Sequence, residues 1–203
     1  MSEKAPVVYH GTSMPDPDWW QTLWSDPAGV VAKLGLKPGM VALDLGCGDG
    51  WFTKPIAQIA QRVYALDAVP ALVQATEQRV ASIGHVQCIV GDAMDASHYV
   101  PEPLDYILLA NTLHGAPDRA ALVQSCAALL KTGGYLAIVG WHVRPREECQ
   151  VLGKPRGPHP DLRMSAEETI KVVQACGFVH ISSESVSLYH YGLVFEYQPV
   201  PRR

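Results

Sequence analysis

The chain has 203 residues, 48% of them hydrophobic, and a formal net charge of −4. That length suits one domain with a sizeable core, and the acidic balance argues against a broad nucleic-acid surface, which needs clustered Lys and Arg. No apolar run approaches the roughly 20 residues that cross a bilayer, and Met1 to Pro6 lacks the basic start and apolar run of a secretory leader, so a cytoplasmic location is expected.

Residues 1–38 read as an N-terminal helical segment, distinct from a main domain over 39–203. Asp18 to Trp24 puts Trp19, Trp20 and Trp24 at helical spacing, with Asp16 or Asp18 as a cap. A second short helix is expected from Asp26 through Leu34, because Pro27 suits a first helical position and Gly35 a stop. From Met40 strands and helices alternate. Strands are expected over Met40–Leu45, Arg62–Asp67, His85–Val90, Leu104–Ala110 and Tyr135–Trp141. Helices are expected over Phe52–Gln61, Pro70–Gly84 and Arg119–Lys131. A long loop, His142 to Met164, follows; loops of that length are usually functional. Ser165 and Glu168 have capping-box spacing and open a helix to Cys176. Two β-like runs, Val179–Leu188 and Tyr191–Tyr197, close the chain. The alternation predicts an α/β doubly wound sheet, largely parallel.

Five dispersed cysteines, Cys47, Cys88, Cys126, Cys149 and Cys176, include no CxxC pair. They read as reduced, mostly buried thiols, with no metal site expected.

The segment carrying chemistry is Val41-Ala42-Leu43-Asp44-Leu45-Gly46-Cys47-Gly48-Asp49-Gly50. Three glycines between a strand and a helix let the backbone turn tightly against a ligand. A dinucleotide loop wants a third small residue where Trp51 stands. Asp44 and Asp49 would repel a phosphate and attract a ligand carrying an ammonium and a sulfonium, as S-adenosylmethionine does.

Here the sequence resembles motif I of the class I S-adenosylmethionine-dependent methyltransferases, an acid followed by GxGxG, and the likeness runs from about Met40 to Tyr197. The resemblance implies a Rossmann-like fold of seven strands, mostly parallel, ending in an antiparallel hairpin. It implies that Asp67 binds the ribose hydroxyls, that Asp92 in Gly91-Asp92-Ala93 accepts from the adenine amino group, and that Leu129 to Gly134 is the turn before the fifth strand. Asp44, Gly46, Cys47, Gly48, Gly50, Asp67, Ala68, Asp92, Ala93 and Asn111 are the expected cofactor residues.

For the acceptor side, Asn111-Thr112-Leu113-His114-Gly115 follows the fourth strand and lacks the Asn/Asp-Pro-Pro-aromatic element of amide and nucleobase nitrogen methyltransferases. His114 and His142 are the candidate bases, with a helix cap as the plainer role for His114. Arg144, Arg146, Arg156 and Arg163 suit an anionic substrate or simply pair within their loop. The tryptophans suit an aromatic substrate under a lid, or plain core packing. The expected partner is a small molecule, anionic or aromatic, with neither nucleic acid nor membrane; a homo-oligomer is left open. The leading reading is a small-molecule methyltransferase of the general layout of quinone-biosynthesis enzymes. Behind it stand a non-catalytic S-adenosylmethionine-binding module or partner subunit, an RNA or protein methyltransferase, and last a dehydrogenase.

Overall fold

The computed structural model describes residues 14–199, so Met1 to Pro6 lies outside the described residues. Seven strands form one sheet: β1 (Val41–Leu45), β2 (Arg62–Asp67), β3 (Val86–Val90), β4 (Leu104–Ala110), β5 (Leu130–Trp141), β8 (Phe178–Ser187) and β9 (His190–Tyr197). Their order is β3-β2-β1-β4-β5-β9-β8. The pairs among β1 to β5 are parallel, whereas β9 runs antiparallel to both β5 and β8. The two small strands β6 (Gln150–Val151) and β7 (Lys154–Pro155) make a separate hairpin in the long loop.

Strands β1 and β4 read as near-continuous apolar runs because both sheet faces are covered. On one face, Leu45, Leu109, Leu136 and Phe195 pack with the helices α5 (Arg119–Leu129) and α6 (Ala166–Gln174). On the other, Tyr106, Leu108 and Val139 pack with α1 (Pro17–Leu23), α2 (Pro27–Lys33) and α3 (Thr53–Ile59). Trp19, Trp20 and Trp24 are buried in that second layer, so the N-terminal segment from α1 onward packs as part of the core. Asp118 starts α5 by accepting the Ala121 amide at 2.9 Å. Ser165 and Glu168 form the expected capping box at α6, with bonds of 2.8 and 3.1 Å.

Several boundaries differ from expectation by a residue or more. Helix α4 (Pro70–Val80) stops before Gly84, and α3 is shorter than Phe52–Gln61 because Ala60 turns extended at its end. Strand β5 begins at Leu130, which leaves the helix for extended backbone and pairs with Leu104 ahead of the Gly133-Gly134 turn. Where the sequence offered only a loop over 142–164, the chain holds the β6–β7 hairpin flanked by two 3-10 turns.

The strand order reverses between β1 and β4. At such a point the connections leave toward opposite faces and open a crevice beyond the strand ends, the usual ligand position in open α/β sheets.

Candidate functional site

Strand β1 ends in that crevice with Asp44, a carboxylate that is 1% exposed. Its Oδ2 accepts the Thr53 hydroxyl at 2.6 Å, which ties it to the first residue of α3. Burial raises the Asp44 carboxyl to about 7 against the opposing Thr53 bond, and repulsion from Asp67 and Asp49 adds to the rise. Beyond it the Gly46 and Cys47 amides both donate to the Leu66 carbonyl, at 2.8 and 3.1 Å, folding the glycine loop onto the end of β2. Gly46 sits at φ +80°, and a Cβ there would lie 2.5 Å from the Thr112 hydroxyl, so the turn has room for glycine alone.

Asp67 ends β2. One carboxylate oxygen accepts the Gly48 amide and the other the Val69 amide, each at 2.9 Å. The Gly48 carbonyl in turn accepts the Thr76 hydroxyl of α4 at 2.8 Å. Asp49 is turned elsewhere. It pairs with Arg79 at 2.6 Å, and that guanidinium also bonds the Asp49 carbonyl and lies 4.9 Å over the Trp51 ring. The expectation that Asp49 helps attract a cation is therefore corrected: α4 neutralises it, and the acids bordering the cleft here are Asp44 and Asp67.

Strand β4 delivers Asn111, whose amide donates to the Val139 carbonyl at 2.9 Å. Asn111 holds φ +58°, a left-handed conformation uncommon outside glycine. Both polar atoms of its side chain are buried without a partner among the described residues. Such an orphaned amide is costly unless a ligand completes it. His114 follows in a short 3-10 turn, its ring on the same cleft. Burial, then the charges of Arg119 and Arg163, lower it to about 4. The cap of the next helix comes from Asp118, which leaves His114 no capping role there.

The far wall comes from β5 and the long loop. His190 is fully buried between Trp24 and Trp141, with ring centroids 4.5 and 4.0 Å away, and burial holds it well below the ordinary histidine range. Its Nδ1 meets the Ser187 hydroxyl at 2.8 Å. Arg163 clips the loop: it donates to the carbonyls of Pro158, Arg144 and His142 and to the Cys149 sulfur at 3.0–3.3 Å. Its guanidinium also lies 5.2 Å from the centroid of the Trp141 ring.

These walls enclose a cleft of about 420 Å³, within the range of small-ligand pockets. Of the sequence-derived site residues, Asp44, Gly46, Cys47, Gly48, Asp67, Ala68, Ala93, Asn111 and His114 line it. Gly50, Asp92 and His142 do not. Gly50 is pressed against Thr76, and Asp92 accepts the Met94 amide at 2.9 Å to start the next turn. His142 sets its ring edge-on to Tyr191, at 5.7 Å. Burial raises the Cys47 thiol far above the ordinary cysteine range, so it lines the cleft as an uncharged small apolar group. Among the described residues no three His, Cys, Asp or Glu side chains gather to hold a metal, and no helix is long and apolar enough to cross a membrane. Trp19, Trp20, Trp141, Arg146, Arg156 and Pro158 line it too; the sequence marked the tryptophans of the N-terminal segment and the two arginines as candidates, but its spacing gave no signal for Pro158, which follows the β6–β7 hairpin.

Comparison with known proteins agrees with this geometry. A family described as "Methyltransferase domain" matches residues 43–138, from β1 through the middle of β5. By that match the chain carries a methyltransferase domain of the class I S-adenosylmethionine-dependent type. Among relatives of this methyltransferase family, the "Ubiquinone biosynthesis O-methyltransferase" of Xanthomonas campestris pv. campestris (strain B100) is 33% identical over 108 residues, 53% of this chain and 45% of that protein. "Nodulation protein S" of Sinorhizobium fredii (strain NBRC 101917 / NGR234) is 30% identical over 147 residues, covering 70% of this chain and 66% of that one. The chain spans about half the length of the ubiquinone-biosynthesis relatives it matches. In fold it is similar to a SAM dependent methyltransferase from Aquifex aeolicus, with a TM-score of 0.73 at 23% identity over 89% of this chain and 93% of that one.

The residues fit the cofactor of this methyltransferase family. Each Asp67 oxygen accepts a single backbone amide and, having two lone pairs, keeps one for a vicinal hydroxyl. Buried Asp44 favours a cationic group, and the orphaned Asn111 amide offers both a donor and an acceptor.

Proposed function

We propose that this protein transfers a methyl group from S-adenosylmethionine to a small molecule by in-line displacement, in the cytoplasm. The observation that carries the reading is the meeting, in one cleft, of the Asp67–Gly48 tie on one side with the unpartnered Asn111 amide and His114 on the other. When bound, the sulfonium supplies an electrophilic methyl carbon.

The chain's own residues hold and orient. Asp67 takes the ribose hydroxyls, Asp44 faces the positive charge, and the Gly46–Gly48 backbone lets the ligand approach. Asn111 and His114 orient the attacking atom, and Trp19, Trp20 and Trp141 exclude water from it. At neutral pH His114 is uncharged, so its lone pair can accept a hydrogen bond from an acceptor hydroxyl. A group held near 4 is a weak base, so its contribution is mainly alignment. An acceptor atom that is already anionic needs no base at all. The ubiquinone-biosynthesis name of the relatives supports a small acceptor, and the acidic balance of the chain speaks against a nucleic acid.

A non-catalytic S-adenosylmethionine-binding module would use the same Asp44, Gly46, Gly48 and Asp67. The unpartnered Asn111 amide beside His114 favours a reacting site, because it leaves a buried donor and acceptor open to an attacking group. The deciding experiment is incubation of the protein with isotopically labelled methyl donor and a metabolite extract, followed by identification of labelled products. A labelled small molecule supports the proposal. Tight donor binding with no labelled product supports the binding module instead.

A further inference from the structure

Two arginines of the long loop are largely withdrawn from solvent, and they are not alike. Arg163 is saturated by backbone carbonyls, as described above, and stands as a clip. Arg156 has no such carbonyls. Its side chain is 19% exposed and lines the cleft, and its Nε is buried with no partner among the described residues. The nearest acid, Asp16, is 3.9 Å away with its side chain 80% exposed, an ion pair too long and too wet to hold the guanidinium.

Arg156 is nonetheless fixed in place. Its backbone amide donates to the Cys149 carbonyl at 2.8 Å, and its guanidinium lies 5.1 Å over the Trp19 ring. The next residue, Gly157, holds φ +91°, and a Cβ there would come within 2.9 Å of the Trp141 ring. The backbone after Arg156 therefore lies flat on one indole while the side chain lies on another. The cleft is polarised as a result, with Asp44 and Asp67 at the strand ends and Arg146 and Arg156 on the loop side. Between Trp19, Trp20 and Trp141 the lining is aromatic. A cationic donor held against indole faces, in a low-dielectric pocket and short of acceptors, matches a planar molecule carrying an acidic group.

We propose that the acceptor is a compact aromatic acid, seated between these indoles with its carboxylate, or an equivalent anionic group, on Arg156. This rests on the methyl-transfer reading, which supplies the cofactor for the acidic end of the cleft.

The test uses the full chain and two isosteric probes, 2-naphthoate and the uncharged 2-naphthamide, titrated by calorimetry with and without S-adenosylhomocysteine. The wild-type protein is expected to bind naphthoate at least tenfold more tightly than the amide. Arg156→Met is expected to abolish that preference while S-adenosylhomocysteine affinity stays within about twofold, which also reports that the variant is folded. If Arg156→Met melts early, Arg156→Gln keeps a polar side chain without the charge and is expected to lose the preference likewise. Equal binding of the two probes by wild type, or an unchanged preference in the variants, overturns the proposal. So does a variant that keeps the preference but loses S-adenosylhomocysteine affinity, because Arg156 would then hold the cofactor's own carboxylate. Failure of wild type to bind S-adenosylhomocysteine at all sinks the methyl-transfer reading instead, and the titrations without it still decide Arg156.

Discussion

The Asp67 carboxylate accepts the Gly48 amide at 2.9 Å, so the acid ending β2 and the glycine loop after β1 form one unit. Removing the acid frees the loop and, on the proposed reading, deletes a cofactor contact as well. Asp67→Ala is expected to weaken S-adenosylmethionine binding at least tenfold, about 1.4 kcal/mol, with Asp67→Asn in between because its carbonyl still accepts one amide. Isothermal calorimetry measures both, and unchanged affinity in the alanine variant would remove Asp67 from the cofactor site.

Asp44 is expected to make cofactor binding depend on pH. Its carboxyl is raised to about 7 by burial. Between about pH 4 and pH 7 the folded protein holds a proton there that the unfolded chain has released. The ligand-free protein therefore loses stability as pH rises through that window and levels off above it. A cationic ligand favours the ionised form, so its affinity moves the other way. S-adenosylmethionine is expected to bind up to roughly tenfold more tightly at pH 7.5 than at pH 6, and Asp44→Asn to remove most of that difference. The variant matters as a control, because the ligand's own amino group begins to titrate near pH 8. An equal pH dependence in wild type and Asp44→Asn would clear Asp44 of the role.

His114→Ala is expected to lower turnover about tenfold, below the roughly 100-fold or more of full general-base catalysis because mainly alignment is lost, and to leave donor affinity nearly intact. Because burial and two nearby arginines hold the ring near 4, activity should show no His114-dependent inflection between pH 6 and 8. The group lowers activity only when protonated, on the acid side near pH 4. Equal loss of turnover and donor affinity in steady-state and binding assays would make His114 a structural residue.

Trp24 is 1% exposed and meets Trp20, Phe52 and His190. Trp24→Ala is expected to cost about 3–5 kcal/mol in urea unfolding, the usual range for a buried aromatic. A loss below about 1 kcal/mol would mean that α1 is docked loosely on the sheet.

That Asp44, the glycine loop and Asp67 meet at one cleft was legible in the sequence, because these parts are local. Asp44 with the glycine loop, and Asp67 with the strand it ends, lie within short segments whose periodicity fixes where the side chains emerge. The alternation of strands and helices likewise gave the sheet, with errors of a few residues where Ala60 or Leu130 turned extended. What was misread depends on partners far along the chain. In the sequence Asp49 adds to the negative charge around the glycine loop, whereas in the fold Arg79, thirty residues on, neutralises it. The four loop arginines looked equivalent, yet Arg163 is used up by carbonyls on both sides of the β6–β7 hairpin and Arg156 is not. The left-handed backbone of Asn111 had no signal in residue type strong enough to announce it.

The Trp24–His190–Trp141 column stands behind both walls of the cleft at once, with α1 on one side and the long loop on the other. An enzyme built this way cannot broaden its substrate range by trimming those rings, since any room gained for a bulkier guest loosens the body of the protein. Diversification toward new acceptors is thereby channelled into the loop residues that line the cleft on either side of the β6–β7 hairpin. There Arg146 is exposed and Arg156 and Pro158 are only half-buried, and the wall can be rewritten without disturbing what supports it.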